Sequence, residues 1–121
     1  RLAGQGSLVI NAIEDLAVMS ALAAMKCVVP LCGADVPGAC DAAFAHPGPA
    51  YLRLGLGAWP DALGRLPAFA PVRQLVSAAG KPSLTIVGLG PVMLPAVSAA
   101  KRAGKTDVFA VSELPLREAP A

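Results

Sequence analysis

The order of elements between residues 83 and 111 restricts the possible fold more than any other part of the sequence. Residues 83–87 are an apolar run that predicts a strand, residues 107–111 predict a second strand, and the pattern between them predicts a helix over residues 91–103. Gly88 and Gly90 predict the turn from the first strand into this helix. Because a helix usually joins neighbouring parallel strands, this pattern is typical of a βαβ unit in a parallel sheet covered by helices.

Strands and a helix also alternate in the first half of the sequence. Residues 27–29 are a short apolar run closed by a proline, and residues 50–54 are mostly apolar and follow a turn, so both predict strands. Asp35 is a candidate N-cap for a helix that runs to Ala45, and a His-Pro-Gly-Pro sequence at residues 46–49 predicts a turn. The whole chain is therefore expected to be an α/β protein.

Three polar residues predict the start of an earlier helix. Asn11 is a good N-cap, and Glu14, three residues later, can bond back to the cap amide. Asp15 adds a negative charge at the positive end of the helix dipole. Glu14 and Asp15 could instead act as a carboxylate pair, but adjacent residues on a helix do not face each other. Helix capping is therefore the interpretation we prefer for both carboxylates.

The composition excludes several classes of protein. Apolar residues make up 55% of the chain, charged residues 15%, and the net charge is +2, which argues against disorder and against a nucleic-acid binder. So much apolar surface must be covered by a membrane or by another chain. The longest uncharged run, residues 82–100, is interrupted by prolines and glycines, so it does not predict a membrane-spanning helix. We expect a cytoplasmic protein with a large partner interface.

The cysteines and the histidine do not predict a metal site. Cys27, Cys32 and Cys40 are odd in number, and no two of them have Cys-x-x-Cys spacing. His46 is the single histidine and is expected in an exposed turn, so it has no identifiable partner for zinc binding or for general-base catalysis. We expect three reduced thiols, no metal ligand and no catalytic residue in this chain.

Arg53 is the most informative charged residue, because it lies inside an apolar strand. A strand that buries an arginine usually provides a paired acid or an anionic ligand, and arginine binds phosphate oxygens in a bidentate manner. The alternative is an edge strand whose arginine faces water. The residues alone leave both interpretations open.

Five segments, taken in order, carry a resemblance to a known family. They are residues 11–22 (NAIEDLAVMSAL), 27–30 (CVVP), 45–55 (AHPGPAYLRLG), 83–100 and 109–112. Their succession resembles the transketolase family, and more specifically the C-terminal subunit of split transketolases, with the related deoxyxylulose-phosphate synthases and dehydrogenase β-subunits. The order of these segments is more specific than any one of them.

The resemblance implies an architecture and a domain division. The expected fold is a three-layer parallel sheet with helices on both faces. Residues 1–60 would form a partial pyrimidine-binding-like domain of the thiamine-diphosphate-binding type, residues 61–81 a linker, and residues 82–121 a partial transketolase C-terminal-like domain with a βαβ unit. Prolines and glycines are frequent in the linker.

The resemblance also implies a function. The family uses thiamine diphosphate and Mg²⁺ to transfer a two-carbon ketol unit between sugar phosphates. Because the metal-binding motif and the catalytic glutamate of the family lie outside this sequence, partner chains would bind most of the cofactor. The chain would then be active only as a subunit, together with one or more larger transketolase-like subunits and a small phosphorylated ketose.

The resemblance implies a role for one residue, and at two other positions this sequence lacks the residues that the family uses. Arg53 matches the family arginine that binds the phosphate of the donor. Gly6 and Ile10 stand where the family has an aspartate and a histidine that contact the sugar. This departure leaves an alternative, in which the chain is a non-catalytic assembly or structural module that keeps the fold.

Overall fold

The computed structural model describes residues 14–55 and 57–116, which have an α/β fold. No helix within these ranges has the length and apolar character needed to cross a membrane. Short turns of 3-10 helix cover Gly33–Asp35, Asp61–Leu63 and Gly90–Val92. The α-helices are α1 (Asp15–Ser20), α2 (Val36–Phe44) and α3 (Met93–Ala103), and the strands are β1 (Lys26–Val28), β2 (Ala50–Leu52), β3 (Val72–Val76), β4 (Leu84–Leu89), β5 (Thr106–Val111) and β6 (Glu113–Leu114).

The strands form two small sheets, and both sheets are mixed. In the first, β1 runs parallel to β2 and antiparallel to β6, and in the second, β5 runs parallel to β4 and antiparallel to β3. The expectation of a purely parallel sheet is therefore wrong. The antiparallel neighbours are the edge strands β6, which follows the βαβ unit, and β3, which lies in the segment predicted to be a linker. Antiparallel strands need no helical crossover, so these short segments can join the sheet edges directly.

The predicted βαβ unit is confirmed in β4, α3 and β5. The two strands run parallel, with Ile86 opposite Val108, and α3 connects them. Gly90, at a φ of +65°, makes the turn that leads into α3, a backbone conformation that glycine adopts without steric cost. Gly104 ends the helix in the left-handed conformation, as glycine commonly does after a helix.

The elements of the first half are confirmed, with some shorter bounds. Helix α2 occupies the predicted region, whereas the second strand, predicted for residues 50–54, ends at Leu52. The N–H of Arg53 nevertheless donates to the carbonyl of Val28 at 2.9 Å, so this residue continues the backbone path of β2. Asn11 lies outside the described residues. Within them, Glu14 occupies the N-cap position of α1 without a side-chain cap hydrogen bond.

The proline-rich segment predicted to be a linker contains a strand. Residues 72–76 form β3, which pairs with β5 and so belongs to the second sheet. The single short turn Asp61–Leu63 lies in the same segment. The sequence prediction of a linker over residues 61–81 did not include this strand, because the prolines around it are typical of irregular structure.

The main hydrophobic core lies between α3 and the second sheet. Val97 of α3 and Val108 of β5 are completely buried. Leu31, from the loop that follows β1, packs into the same core, so the two halves of the chain share it. Burial of a side chain of this size contributes about 1.5–3 kcal/mol. The buried members of this core are Leu31, Met93, Val97, Ala100, Val108 and Ala110.

A buried ion pair also joins the two halves. Nη1 of Arg73 in β3 donates to Oδ1 of Asp35 at 2.9 Å and to the carbonyl of Pro67 at 2.8 Å, while Nη2 pairs with Oδ2 of Asp35. The N–H of Leu31 donates to the same Oδ2 at 2.9 Å. Asp35 does occupy the N-cap position of α2, as predicted, but its carboxylate makes no cap hydrogen bond. The carboxylate connects the first half to β3 instead.

Candidate functional site

Arg53 lies where the parallel strands β1 and β2 end. It follows the last residue of β2 and lines an open pocket of about 210 Å³, together with Val29, Leu54, Gly55 and Pro91. The carboxyl ends of parallel strands are the common location of ligand sites in α/β sheets. Among the described residues that line this pocket, Arg53 is the only charged one, so an anion is the ligand that the pocket favours.

The pocket depends on the close approach of two chain segments. A Cβ atom at Gly55 would lie 2.7 Å from Cγ of Pro91, which belongs to the turn between β4 and α3. Only glycine allows this contact without a shift of the backbone or the proline ring. The βαβ unit therefore supplies the opposite wall of the pocket, facing the end of β2.

The guanidinium of Arg53 forms an ion pair with the carboxylate of Asp15. Its Nε lies 2.9 Å from Oδ2 of Asp15, the first residue of α1, and the hydroxyl of Tyr51 donates to the same oxygen at 2.8 Å. The side chain of Arg53 is 42% exposed and that of Asp15 is 15% exposed. Asp15 lies in the first turn of α1, as predicted, and its carboxylate also contacts Tyr51 and Arg53. Asp15, Tyr51 and Arg53 are referred to below as the Asp15 cluster.

The electrostatics of the Asp15 cluster favour an ionised carboxylate. The hydrogen bond from Tyr51 and the charge of Arg53 lower the pKa of Asp15, although partial burial opposes them. The same hydrogen bond raises the pKa of Tyr51. Burial, assisted by the negative charge of Asp15, raises the pKa of Cys27, so this thiol stays protonated and is a poor nucleophile.

The other predicted residues lie away from the pocket or outside the described ranges. Nε2 of His46 lies 2.9 Å from the carbonyl of Ala24, in a contact between two turns. Cys27 and Cys32 are buried, and all three cysteines are free thiols. Gly6 and Ile10 lie outside the described residues. In residues 14–55 and 57–116, no group of three or more acidic, cysteine or histidine side chains could hold a metal ion.

Sequence reasoning did not identify Tyr51 as part of the site, although a signal was present. Tyr51 and Arg53 are two residues apart at the end of one strand, so their side chains point to the same face. Two hydrogen-bonding side chains on one face of an apolar strand indicate a common polar partner. The pattern could not name that partner, because Asp15 is 36 residues away from Tyr51 in the sequence.

No protein-family model and no curated protein sequence matches the chain. Solved structures do match its fold, and two transketolases are among them. A split-gene transketolase in the form of an inactive beta4 tetramer matches with 34% identity and a TM-score of 0.64, over 84% of this chain and 35% of that protein. The transketolase from Leishmania mexicana matches with 18% identity and a TM-score of 0.65, over 89% of this chain and 17% of that protein.

These matches define the chain as part of a transketolase-type α/β structure. The likeness to the Leishmania protein supports the fold alone. The sequence identity and coverage of the first match go further, and the chain belongs to the transketolase family. It spans about a third of the length of the split-gene protein.

Proposed function

We propose that the chain provides the phosphate-binding part of a transketolase-type enzyme, which transfers a two-carbon ketol unit from a phosphorylated ketose. The observation that supports this proposal is the position of Arg53, at the carboxyl ends of parallel strands and in an open pocket. Among the described residues the guanidinium pairs with Asp15 through Nε, and Nη1 and Nη2 would then serve a ligand. Two such donors match two phosphate oxygens.

The pocket is of a size that holds one group of a ligand rather than the whole ligand molecule. Its volume of about 210 Å³ is below the roughly 300–1,000 Å³ of pockets that enclose a drug-sized molecule. A phosphate group at the end of a sugar fits such a pocket. The remainder of the donor would extend toward the partner chains.

We propose that thiamine diphosphate and Mg²⁺ are bound mainly by partner chains. The described residues do not fit this group by themselves, since they contain no cluster of acidic side chains for the metal. When bound, the cofactor supplies the carbon–carbon bond chemistry, and the present chain positions the donor phosphate. We assign no catalytic residue to this chain.

Exposed apolar residues support the proposal of partner chains. Phe44, at the end of α2, is 88% exposed, which is unusual for so large an apolar side chain. We propose that one or more larger transketolase-like subunits in the cytoplasm cover this surface. The exposed large apolar residues are Val18, Leu22, Phe44, Leu54, Leu84, Val87, Val92 and Leu116.

We also propose the domain division of the family for this chain. Residues 1–60 would be a partial pyrimidine-binding-like domain, residues 61–81 the connection, and residues 82–121 a partial transketolase C-terminal-like domain. The two sheets match this division only in part, because β6 lies within residues 82–121 and pairs with β1 of the first sheet. Strand β3 would then be the part of the connection that pairs with the second unit.

A second candidate function is a non-catalytic assembly or structural module. It is favoured by Gly6 and Ile10, since an apolar residue and a glycine cannot replace the sugar contacts of an aspartate and a histidine. The deciding experiment is purification of the chain with its partners from its native source, followed by an assay for thiamine diphosphate. Co-purification of a larger chain and the cofactor supports the enzyme, whereas a chain that purifies alone and free of cofactor contradicts it.

The role of Arg53 is tested separately in the assembled enzyme. Arg53→Ala is expected to raise KM for a phosphorylated ketose about tenfold or more, because a hydrogen bond to a charged group contributes about 1.5–3 kcal/mol. KM for the same ketose without phosphate should not change. Arg102→Ala, at the exposed end of α3, is the matched control. Equal effects on both sugars would contradict the assignment.

A further inference from the structure

We infer that Asp15 and Tyr51 are positioning residues for Arg53. They hold its guanidinium in an orientation in which Nη1 and Nη2 contact the bound anion. This inference rests on the proposed phosphate-binding role of Arg53. It assigns two further residues to the same site. It also defines how the site recognises its ligand, through Nη1 and Nη2 rather than through Nε.

The geometry of the Asp15 cluster supports this inference. Oδ2 of Asp15 accepts both from Nε of Arg53, at 2.9 Å, and from the hydroxyl of Tyr51, at 2.8 Å. An arginine side chain has many rotamers, and fixing it costs up to about 2 kcal/mol of side-chain entropy. Because Tyr51 fixes the carboxylate and the carboxylate fixes Arg53, this entropy is lost when the protein folds and not when the anion binds. Such pre-organisation raises the affinity for the anion.

The three side chains come from two neighbouring parts of the fold, α1 and the end of β2. Asp15 opens α1, whereas Tyr51 is in β2 and Arg53 follows it directly. Tyr51 pairs with Cys27, a completely buried residue of β1, and the N–H of Arg53 bonds to the carbonyl of Val28. The hydrogen-bonded strands therefore fix the tyrosine and the arginine, and α1 brings the carboxylate to them.

A merely electrostatic role of Asp15 makes the opposite prediction. The carboxylate cancels the charge of Arg53, so its removal leaves the pocket more positive and would strengthen anion binding. A positioning role predicts weaker binding after the same change. Tyr51→Phe separates the two effects even more clearly, because it removes a hydrogen bond and leaves the charge of the cluster unchanged.

The test is the binding of inorganic phosphate to the 121-residue chain, followed by NMR. Asp15→Ala is expected to weaken phosphate binding about tenfold and Tyr51→Phe about threefold, and Asp15→Asn should lose less than Asp15→Ala, since its amide oxygen can still accept from Nε. Thermal unfolding of each variant serves as the control for folding. Arg102→Ala is expected to bind phosphate like the wild type.

A second measurement reports the geometry without any ligand. Tyr51 is the single tyrosine of the chain, so absorbance near the phenolate band follows this residue alone. Asp15 raises the pKa of Tyr51, whereas the charge of Arg53 lowers it and Cys27 contributes a small increase. Asp15→Ala should therefore shift the titration of Tyr51 to lower pH, and Arg53→Ala should not shift it in that direction.

The outcomes separate this inference from the proposed function. If Arg53→Ala binds phosphate as the wild type does, the phosphate role of Arg53 is wrong and the inference is overturned with it. If Arg53→Ala loses binding but Asp15→Ala and Tyr51→Phe bind phosphate equally well or more tightly, only the positioning roles are overturned. Weaker binding in all three variants, with Tyr51 titrating at lower pH in Asp15→Ala, supports the inference.

Discussion

Two acid–arginine pairs in this protein have the same chemistry and different surroundings. In the Asp35–Arg73 pair the side chains are 2% and 4% exposed, and both terminal nitrogens of the arginine bond within the protein. In the Asp15–Arg53 pair they are 15% and 42% exposed, and the arginine contacts its acid through Nε. The buried pair uses its donors to join two halves of the chain, whereas the proposed function of the more exposed pair is to offer donors to a ligand.

Burial decides what each pair can contribute. A buried pair loses the hydration of both charges, and this loss cancels much of its attraction. The cost is larger still here, because among the described residues Nε of Arg73 is buried without a hydrogen-bond partner. The Asp35–Arg73 pair therefore fixes where β3 lies. Removal of only one of the two charged side chains is expected to destabilise the folded state. In the Asp15–Arg53 pair the arginine is partly exposed, so this pair is expected to contribute less to stability than the buried pair.

The largest expected effect is that of Arg73→Met on folding. The substitution leaves the carboxylate of Asp35 buried and without its partner, which costs about 3–5 kcal/mol in the free energy of unfolding. Urea unfolding, followed by the fluorescence of the single tryptophan, measures this loss. A loss below about 1 kcal/mol, the usual value for an exposed pair, would show that the two pairs do not differ.

The control for this prediction is the double variant Asp35→Asn with Arg73→Met. It removes both charges and keeps a side-chain oxygen for the N–H of Leu31, so it should be more stable than Arg73→Met alone. A double variant whose loss equals the sum of the two single losses would indicate that the charges are not coupled.

The same substitution at the exposed pair gives the matched comparison. Arg53→Met is expected to lower the free energy of unfolding by less than about 1 kcal/mol, because exposed ion pairs contribute little. Its effect should appear in phosphate binding instead. The measurement is urea unfolding under the conditions used for Arg73→Met, and a loss as large as that of Arg73→Met would contradict the distinction.

The parts of the fold that depend on local signals could be predicted from the sequence. The glycines at 88, 90 and 104 and the apolar runs beside them specify β4, α3 and β5, because turn and cap chemistry acts within a few residues. β3 was missed since the prolines that flank it are typical of loops and its partner, β5, is distant in the sequence. Antiparallel pairing of this kind leaves no local signal.

Of the residues in the candidate site, Arg53 could be predicted from the sequence and its partners could not. Arg53 was identified because a charge in an apolar strand requires a reason, and the residues alone already included a paired acid among the possibilities. Asp15 was interpreted as a capping residue, since its position at the start of a helix explained it locally. Its contacts with Tyr51 and Arg53 span more than 35 residues, a distance at which sequence patterns name no partner.

A smaller effect is expected in acid, again at the exposed pair. The pKa of Asp15 is lowered in the folded state, so its contribution to stability is present above the ordinary pKa of the group and is lost as pH falls through the folded value. The difference in unfolding free energy between the wild type and Asp15→Asn should therefore shrink below about pH 4. Urea unfolding of both proteins over this range measures it, and a constant difference would show that the carboxylate is not paired.

The smallest expected effect is at alkaline pH. The pKa of Tyr51 is raised, so the protonated phenol stabilises the folded state up to the ordinary pKa, about 10, and this contribution is lost as pH rises further through the folded value. Because Tyr51→Phe has no phenol, its unfolding free energy should approach that of the wild type in this range. Since the effect comes from one hydrogen bond, about 1 kcal/mol is its upper size. A difference that grows with alkaline pH would mean that the phenolate, and not the phenol, is the form that the Asp15 cluster stabilises.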